Sequence, residues 1–416
     1  MKKYEWAVIG SGIAGITIAE ILTRQGHSCV LIEKNKTLAS ETTREFHEWF
    51  HTGALYTLVP DRLLTLKFTL GAVDDMLEYY SSFKRMNLVP TASGLRVGSN
   101  RCNKSNSWFK DKNIHFKFRI KGRKIMLPWI CGVARALFLI KKIKQYDWLR
   151  KRAGEMEGFQ KEKLKEILKL TYDILRRKEK FIEIKTSDLV LNSRSLLRDL
   201  VATSVKNGLT VSTNNEVEAI EDRGAYYDIA SQKENIKAER VVFCTAKNIN
   251  KFNDVKINTS YAPIAVVKGL SKNAKSFVEL DCFPSNCINQ LCKGNGIGQV
   301  GGISFKDKNK CDKYLDYVMK EHKKREPNIK ELFRYNGVKS EITFKNQPRG
   351  YLYHIVNVKK NIWSAVPGKF SLAFSLAPEF YRRIYNKNPD KNYLTTEAGS
   401  DTYNVSETIW HDITSK

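Results

Sequence analysis

The sequence predicts an α/β chain in which a Rossmann-like dinucleotide-binding unit is joined to a second, α+β unit built on a mixed or antiparallel sheet. Three observations carry that reading. Residues 4–34, YEWAVIGSGIAGITIAEILTRQGHSCVLIEK, set a glycine-rich turn between an apolar strand and a helix, then close on a second buried strand. Residues 187–246 run through a second helix and return to the apolar strand AERVVFCTA, while YAPIAVVKGL and IGQVGGISF further on read as strands of a different sheet. Finally, 416 residues is enough chain for about two or three domains.

In chain order, Tyr4–Ile9 is the first strand, and apolar residues at helical spacing follow until Gly26 stops the helix. HSCVLIEK, residues 27–34, completes a βαβ unit. Residues 61–83 read as a helix. Residues 84–184 are mostly basic, with a further helical run over 162–181. From Ser187 a capped helix runs to its stop at Gly208, and a strand, a hairpin and the strand at 238–246 follow. Residues 361–385 form a strand, a Pro-Gly turn and a helix, while 387–416 are polar and expected at the periphery. No internal repeat is present. The expected division is a discontinuous dinucleotide-binding domain over 1–83, 185–255 and 340–390. A substrate or cap domain over 84–184 and 256–339 carries the basic helical insertion, and 391–416 form a polar C-terminal tail.

Hydrophobic residues make up 42% of the chain and aromatics 11%, a globular balance, and no apolar run reaches the roughly 18 residues a membrane span needs. The first apolar stretch leads into the glycine turn rather than to a cleavage site, so a cytoplasmic location is expected. The eight cysteines then read as reduced thiols. Cys282, Cys287 and Cys292 recur every five residues, which matches no zinc or iron–sulfur spacing, so no metal is expected. The 71 basic residues outnumber 44 acidic ones for a net charge of +27, a field that attracts phosphate-rich partners or reflects lysines spread over the whole chain. Residues 119–152 concentrate that charge around Trp129, Leu137, Phe138 and Ile140. Such a pattern suits a helix lying on the inner face of a membrane, and equally one packed on its own domain.

The glycines have separable tasks. Gly10 permits the tight turn, Gly12 lets a phosphate approach the backbone, and Gly15 lets the helix press on the strand. The amides of Ile13 and Ala14 at the helix start then face a pyrophosphate. Glu33, followed by Lys34, ends the second strand where a carboxylate can accept bonds from ribose hydroxyls. The turn alone leaves NAD and FAD open.

The segment VIGSGIAGITIAEILTRQGHSCVLIEK resembles the start of FAD-dependent oxidoreductases of the D-amino-acid oxidase and glycerol-3-phosphate dehydrogenase superfamily. LASETTREFHEWFHTGALY resembles that family's next block, with Ala39-Ser40 after the acid, Thr42, Thr43 and Arg44 in the Ser/Thr-rich loop, and His51-Thr52-Gly53 at the flavin turn. LTVSTNNEVEAI resembles the strand whose valine, here Val217, contacts adenine. PGKFSLAFSLA resembles the Gly-Lys turn beside the isoalloxazine, with Gly368, Lys369 and Phe370. The resemblance covers about 200 residues in three blocks and implies FAD as cofactor in a GR2-type FAD-binding domain. Two departures stand out. The strand that usually ends Ala-Thr-Gly ends Cys244-Thr245-Ala246 here, and the family's arginine before the last flavin segment is replaced by Lys339, which cannot form a bidentate fork on a carboxylate.

The resemblance implies hydride removal from a C–N or C–O bond of a small amino or hydroxy metabolite, with electrons passing to oxygen or, from a membrane surface, to quinone. Lys369 and the helix start after it are placed to stabilise negative charge on a reduced flavin. His51 is open to three readings: an acid/base group, a covalent flavin attachment site, or a hydrogen-bonded loop histidine. His47 and His354 are weaker candidates. In QPRGYLYH, Tyr351 and Tyr353 share a strand face, and Arg349 can anchor a carboxylate or phosphate beneath them. Two rival classes are a flavoprotein that modifies tRNA and a non-redox flavin enzyme of nucleotide-sugar metabolism. The first lacks any recognisable RNA-binding module, and the second usually shows a Gly-Gly pair absent from Leu38-Ala39-Ser40. A non-enzymatic dinucleotide sensor would leave the Gly-Lys turn without a task.

Overall fold

The computed structural model describes residues 2–53, 56, 64–91, 94–98, 106–119, 181–281, 284–343, 350–391, 396, 399 and 404–415. Arg349, Cys282, the basic stretch 120–152 and the helical run expected over 162–180 lie outside the described residues.

Among the described residues eighteen strands, numbered in chain order, build two large sheets and a hairpin. The first sheet holds β1 (Lys3–Ile9), β2 (Cys29–Ile32), β8 (Thr210–Ser212), β9 (Val217–Asp222), β10 (Tyr227–Ser231), β11 (Ile236–Phe243), β17 (His354–Lys359) and β18 (Ile362–Val366). Its spatial order is β17-β18-β11-β1-β2-β8, with β10 and β9 hanging from β11. β1 is parallel to β11 and β2, β2 to β8, and β11 to β18. The central strands are buried on both faces and therefore read as continuous apolar runs.

Helix α1 (Ile13–Arg24) crosses between β1 and β2. α3 (Leu64–Tyr80), α4 (Ser193–Lys206) and α6 (Ala373–Tyr385) pack with it around one core, into which Trp6, Phe374 and Phe380 are fully buried. The helix read as running from Ser187 begins at Ser193 instead, because residues through Leu191 pair as a strand, and Asn192 caps α4 by accepting a hydrogen bond from Ser195 N. A second core on the opposite sheet face gathers Ile229, Val241 and Phe243 under the β9–β10 hairpin.

The second sheet contains β3 (Trp49–Phe50), β6 (Phe109–Arg119), β7 (Phe181–Leu191), β12 (Asn258–Lys268), β13 (Phe277–Leu280), β14 (Ile288–Gly294), β15 (Ile297–Gly302) and β16 (Lys330–Glu341), in the order β16-β12-β15-β14-β13-β6-β7-β3. All its pairs are antiparallel except β13 with β6. The mixed sheet expected of the second unit is therefore present. Helix α5 (Lys310–Lys323) covers one face, burying Leu315 and Val318 against Val267 and Val300. β4 (Leu88–Thr91) and β5 (Gly94–Val97) form a separate hairpin. No described helix is long and apolar enough to cross a membrane.

The C-terminal segment is polar but not peripheral: Val405 is 1% exposed and bridges in parallel to Leu38, and α7 (Ile409–Thr414) follows. Further back, Gly399 N donates to Asp199 Oδ1 at 2.7 Å. The segment reads as tail because its partners are scattered polar groups rather than an apolar stripe.

Candidate active site

A cavity of about 1350 Å³ opens at the C-terminal ends of β1, β2, β11 and β18, and its far wall comes from β12 to β16 of the second sheet. Ligands of open α/β sheets bind at this edge, where crossovers leave a crevice.

The glycine turn forms one end. Gly10 has φ +97°, and a Cβ there would stand 2.8 Å from the Cys244 carbonyl oxygen. Gly15 lies behind the cavity wall, where a Cβ would stand 1.9 Å from Gly10 O, so its absence lets α1 close on the strand. Gly12, Ile13 and Ala14 face the cavity, as do Glu33 and Lys34. Glu33 is held in place before any ligand arrives. Its Oε2 accepts from Ser11 N (3.0 Å) and Ser11 Oγ (2.6 Å), and its Oε1 accepts from Asn35 N (2.9 Å) and Nδ2 (2.8 Å). These four bonds fill the roughly four acceptor positions of a carboxylate, so a ribose hydroxyl has to share or displace one of them. Lys34 pairs with Glu41 at 2.6 Å. Val217 begins β9 at the same wall, and Asn215 N donates to Glu33 O (2.9 Å), so the two segments are registered on each other.

The loop after β2 supplies the adjoining wall. Thr42 and Thr43 open the short helix α2 (Thr42–Glu45), and Thr43 Oγ1 accepts from Ile13 N at 3.0 Å, capping α1 from outside. Two hydroxyls on the wall, Ser40 Oγ and Thr245 Oγ1, are buried without a hydrogen-bond partner. Arg44, expected at the cofactor, is turned the other way: its guanidinium pairs with Asp412 of α7, and it does not line the cavity.

At the other end the structure brings three expected residues together. Lys369 Nζ lies 4.6 Å from the Tyr351 ring centroid and 4.7 Å from that of Tyr56. His51 stands 5.3 Å from Tyr56 and 4.2 Å from Trp49, ring to ring. Gly368 and Phe370 complete this wall, where Gly368 has φ +65°. Burial depresses the His51 pKa to about 4. Nearby Lys369 adds to the fall and Asp188 opposes it. His51 is therefore neutral at pH 7, and its Nδ1, 3.7 Å from Asp188 Oδ2, makes no hydrogen bond. Asp188 is itself fixed by Trp49 Nε1 (2.9 Å) and Thr52 N (2.9 Å).

Glu48, Asn289 and Lys293 escape sequence reasoning, whereas His47 and Lys339, both singled out there, line the cavity. His47 Nε2 and Asn289 Oδ1 are buried without partners and face the cavity, and burial with Lys293 and Lys339 nearby lowers the His47 pKa to about 3. Lys339 also reaches the cavity, donating to Ser304 Oγ at 2.8 Å and lying over the Phe46 ring. His354 belongs to β17 and stands off the cavity wall. Glu48 and Lys293 form a buried ion pair at 2.8 Å, with side chains 5% and 0% exposed. The density of chemistry-bearing side chains in HEWFH, residues 47–51, was a usable signal; nothing local marks Lys293.

The comparisons bear on this geometry. A family model described as FAD dependent oxidoreductase matches residues 5–275, more than half of the chain. No curated protein matches. Among solved structures, L-α-glycerophosphate oxidase from Mycoplasma pneumoniae is similar at 14% identity and TM-score 0.62, covering 94% of this chain and 97% of its own. Glycine oxidase from Geobacillus kaustophilus shares 10% identity at TM-score 0.63, covering 98% and 100%. L-amino acid deaminase from Proteus myxofaciens shares 13% at TM-score 0.61, covering 94% and 92%.

Proposed function

The chain belongs to the DAO family of FAD-dependent oxidoreductases, and from that premise we propose that it removes a hydride from a C–N or C–O bond of a small amino or hydroxy metabolite. The observation that carries this reading is that one cavity runs from the Gly10–Gly12 turn to His51, Tyr351 and Lys369. The residues also fit the cofactor: Gly12 leaves open the surface where a diphosphate would lie, and the unpartnered hydroxyls of Ser40 and Thr245 offer polar contacts along its length.

Bound FAD supplies the hydride acceptor. The start of α1 would hold the diphosphate, Glu33 the ribose hydroxyls and Val217 the adenine. His51 accepts a proton from the substrate's hydroxyl or amine, since its ring is neutral. Asp188 orients that ring and stabilises it once protonated. Lys369, held over two tyrosine rings, would supply positive charge to stabilise a reduced flavin. Arg349, just before Tyr351 in the chain, is kept as an anchor for a substrate anion. Electrons leave to oxygen in the cytoplasm or, with the 119–152 segment docked on the inner membrane face, to quinone. The rival readings as a tRNA-modifying or nucleotide-sugar flavoprotein gain no support from the family match or the similar structures.

The test is the visible spectrum of the purified protein before and after acid precipitation. Flavin bands that move to the supernatant indicate non-covalent FAD; a yellow pellet indicates a covalent link, with His51 the first residue to map. A colourless protein that takes up no added FAD would refute the proposal.

A further inference from the structure

Residues 37–48 cross from the first sheet to the second and form much of the cavity wall, yet their only regular element is the four-residue α2. Both ends of this loop hold non-glycine residues in the left-handed region, Ala39 at φ +56° and Glu48 at φ +58°. Such conformations are unfavourable for residues with a Cβ and persist only where surroundings impose them. Here the surroundings are the end of the chain. Leu38 N donates to Asn404 O (3.2 Å), Ser406 N donates to Leu38 O (2.9 Å), and the Thr37 and Ser406 hydroxyls meet beside them. Asp412 takes the Arg44 guanidinium in the middle of the loop. Trp410 Nε1 donates to Glu48 Oε2 (2.8 Å) at its far end.

Glu48 is the point where these restraints converge. Its Oε1 accepts from Ser193 N (2.9 Å) and Oγ (2.6 Å), and Oε2 also accepts from Lys293 Nζ (2.8 Å), which in turn donates to His47 O (2.7 Å). Burial would raise the Glu48 carboxyl, but Lys293 and its other donors hold it down at about 2. The Trp410 ring lies under the ammonium groups of Lys293 (5.3 Å) and Lys110 (5.4 Å). The loop therefore lines the cavity while residues 404–412 grip it at three points, at Leu38 and Arg44 off the cavity wall and at Glu48 on it.

We propose that residues 404–412 are a clamp that fixes the cofactor-facing loop in its binding shape, with Trp410 acting through Glu48 and Asp412 through Arg44 as positioning residues. The inference rests on FAD occupying this cavity. With the clamp loosened, Ala39 and Glu48 relax toward ordinary backbone conformations, and Thr42, Thr43 and His47 leave their places on the wall. Cofactor affinity then falls while the two cores, which the clamp hardly enters, stay intact.

The test uses the full-length protein with Trp410→Phe, which keeps an aromatic ring and removes the N–H, and with Asp412→Ala and Asp412→Glu. FAD dissociation constants come from flavin fluorescence titration, and thermal midpoints from the flavin-free proteins. The expected result is about tenfold weaker FAD binding for Trp410→Phe and Asp412→Ala, the effect of losing one charge-assisted contact. Flavin-free midpoints should stay within about 2 °C, and Asp412→Glu should restore most of the affinity. Dissociation constants within about twofold of wild type would overturn the clamp, whether or not midpoints fall, because a purely structural segment lowers stability without touching FAD affinity. A wild-type chain that takes up no FAD would overturn both the clamp and the cofactor reading beneath it.

Discussion

Gly12 and Gly15 stand three positions apart in one turn, and substituting each separately distinguishes a glycine required by the chain from one required by its ligand. An alanine at 15 would put its Cβ 1.9 Å from Gly10 O and 3.0 Å from Gly10 C, both backbone atoms. Ordinary carbon–oxygen contacts are about 3.3 Å or longer, so α1 must retreat by about 1.4 Å. That helix is buried from Ile13 to Thr23, and the shift propagates into the core around Trp6. Overpacking of this kind costs about 1–3 kcal/mol, and backbone on both sides puts Gly15→Ala at the upper end. For a chain of 416 residues a fall of about 3 °C in the flavin-free midpoint follows. Gly12 has φ −66° and ψ 179°, which any residue adopts, and its Cβ would meet only Thr43 Oγ1, at 3.3 Å. Gly12→Ala should cost about 0.5–1 kcal/mol as a poorer cap. Gly12→Val, by contrast, should weaken FAD binding more than about 100-fold while the flavin-free protein remains folded. Thermal unfolding and FAD titration on the two variants decide it. An unchanged midpoint for Gly15→Ala, or wild-type FAD retention by Gly12→Val, would refute the assignment.

Three other outcomes follow from individual residues. Ala246 sits at φ +49°, where an alanine costs about 1–2 kcal/mol over the right-handed form; Ala246→Gly recovers that less about 0.4–1 kcal/mol of chain entropy, so the thermal midpoint should rise. Asp75, against Ser375, is raised by burial to about 6 from 3.8. The unfolded chain loses this proton first, so the group's stabilisation is full below about pH 4 and is lost as pH climbs to about 6. Asp75→Asn should flatten that segment of a denaturant-midpoint profile, and an unchanged slope would contradict the assignment. His51 at about 4 sets the acid limb of kcat/KM near that pH; because Asp188 holds the value up, Asp188→Asn should move the limb lower, and a limb moved upward would show that another group titrates.

The cofactor half of the molecule is legible because its signals are local. The β1 turn, the caps of α4 and the Pro-Gly turn before α6 each occupy a few consecutive residues whose types dictate backbone shape. The second sheet is not legible in the same way. β14, INQLCKG, buries Asn289, Gln290 and Lys293, so it shows neither the alternation of a half-exposed strand nor the apolar run of a core one. Its lysine is tolerated only because Glu48, 245 positions away, neutralises it. A partner at that separation leaves no trace in any window of sequence. The error over Arg44 has the same origin: the Thr-Thr-Arg run resembles a cofactor loop, but Asp412, far along the chain, takes the arginine.

The loop from Leu38 to His51 explains why these distant pairings matter for chemistry. It leaves the first sheet after β2, caps α1 through Thr43, and enters the second sheet as β3, where Trp49 and Phe50 pair with Val190 and Leu189. His51 follows directly, so the separation between its ring and the Gly10–Gly12 turn is set by the path of this one connection. A connection with a four-residue helix cannot fix such a distance by itself. The distance is fixed from outside, by the Glu48–Lys293 pair, by Asp188 and by the returning end of the chain. Substitutions behind the loop should then alter cofactor affinity and the acid limb of the rate together, although none of the altered side chains need touch a ligand.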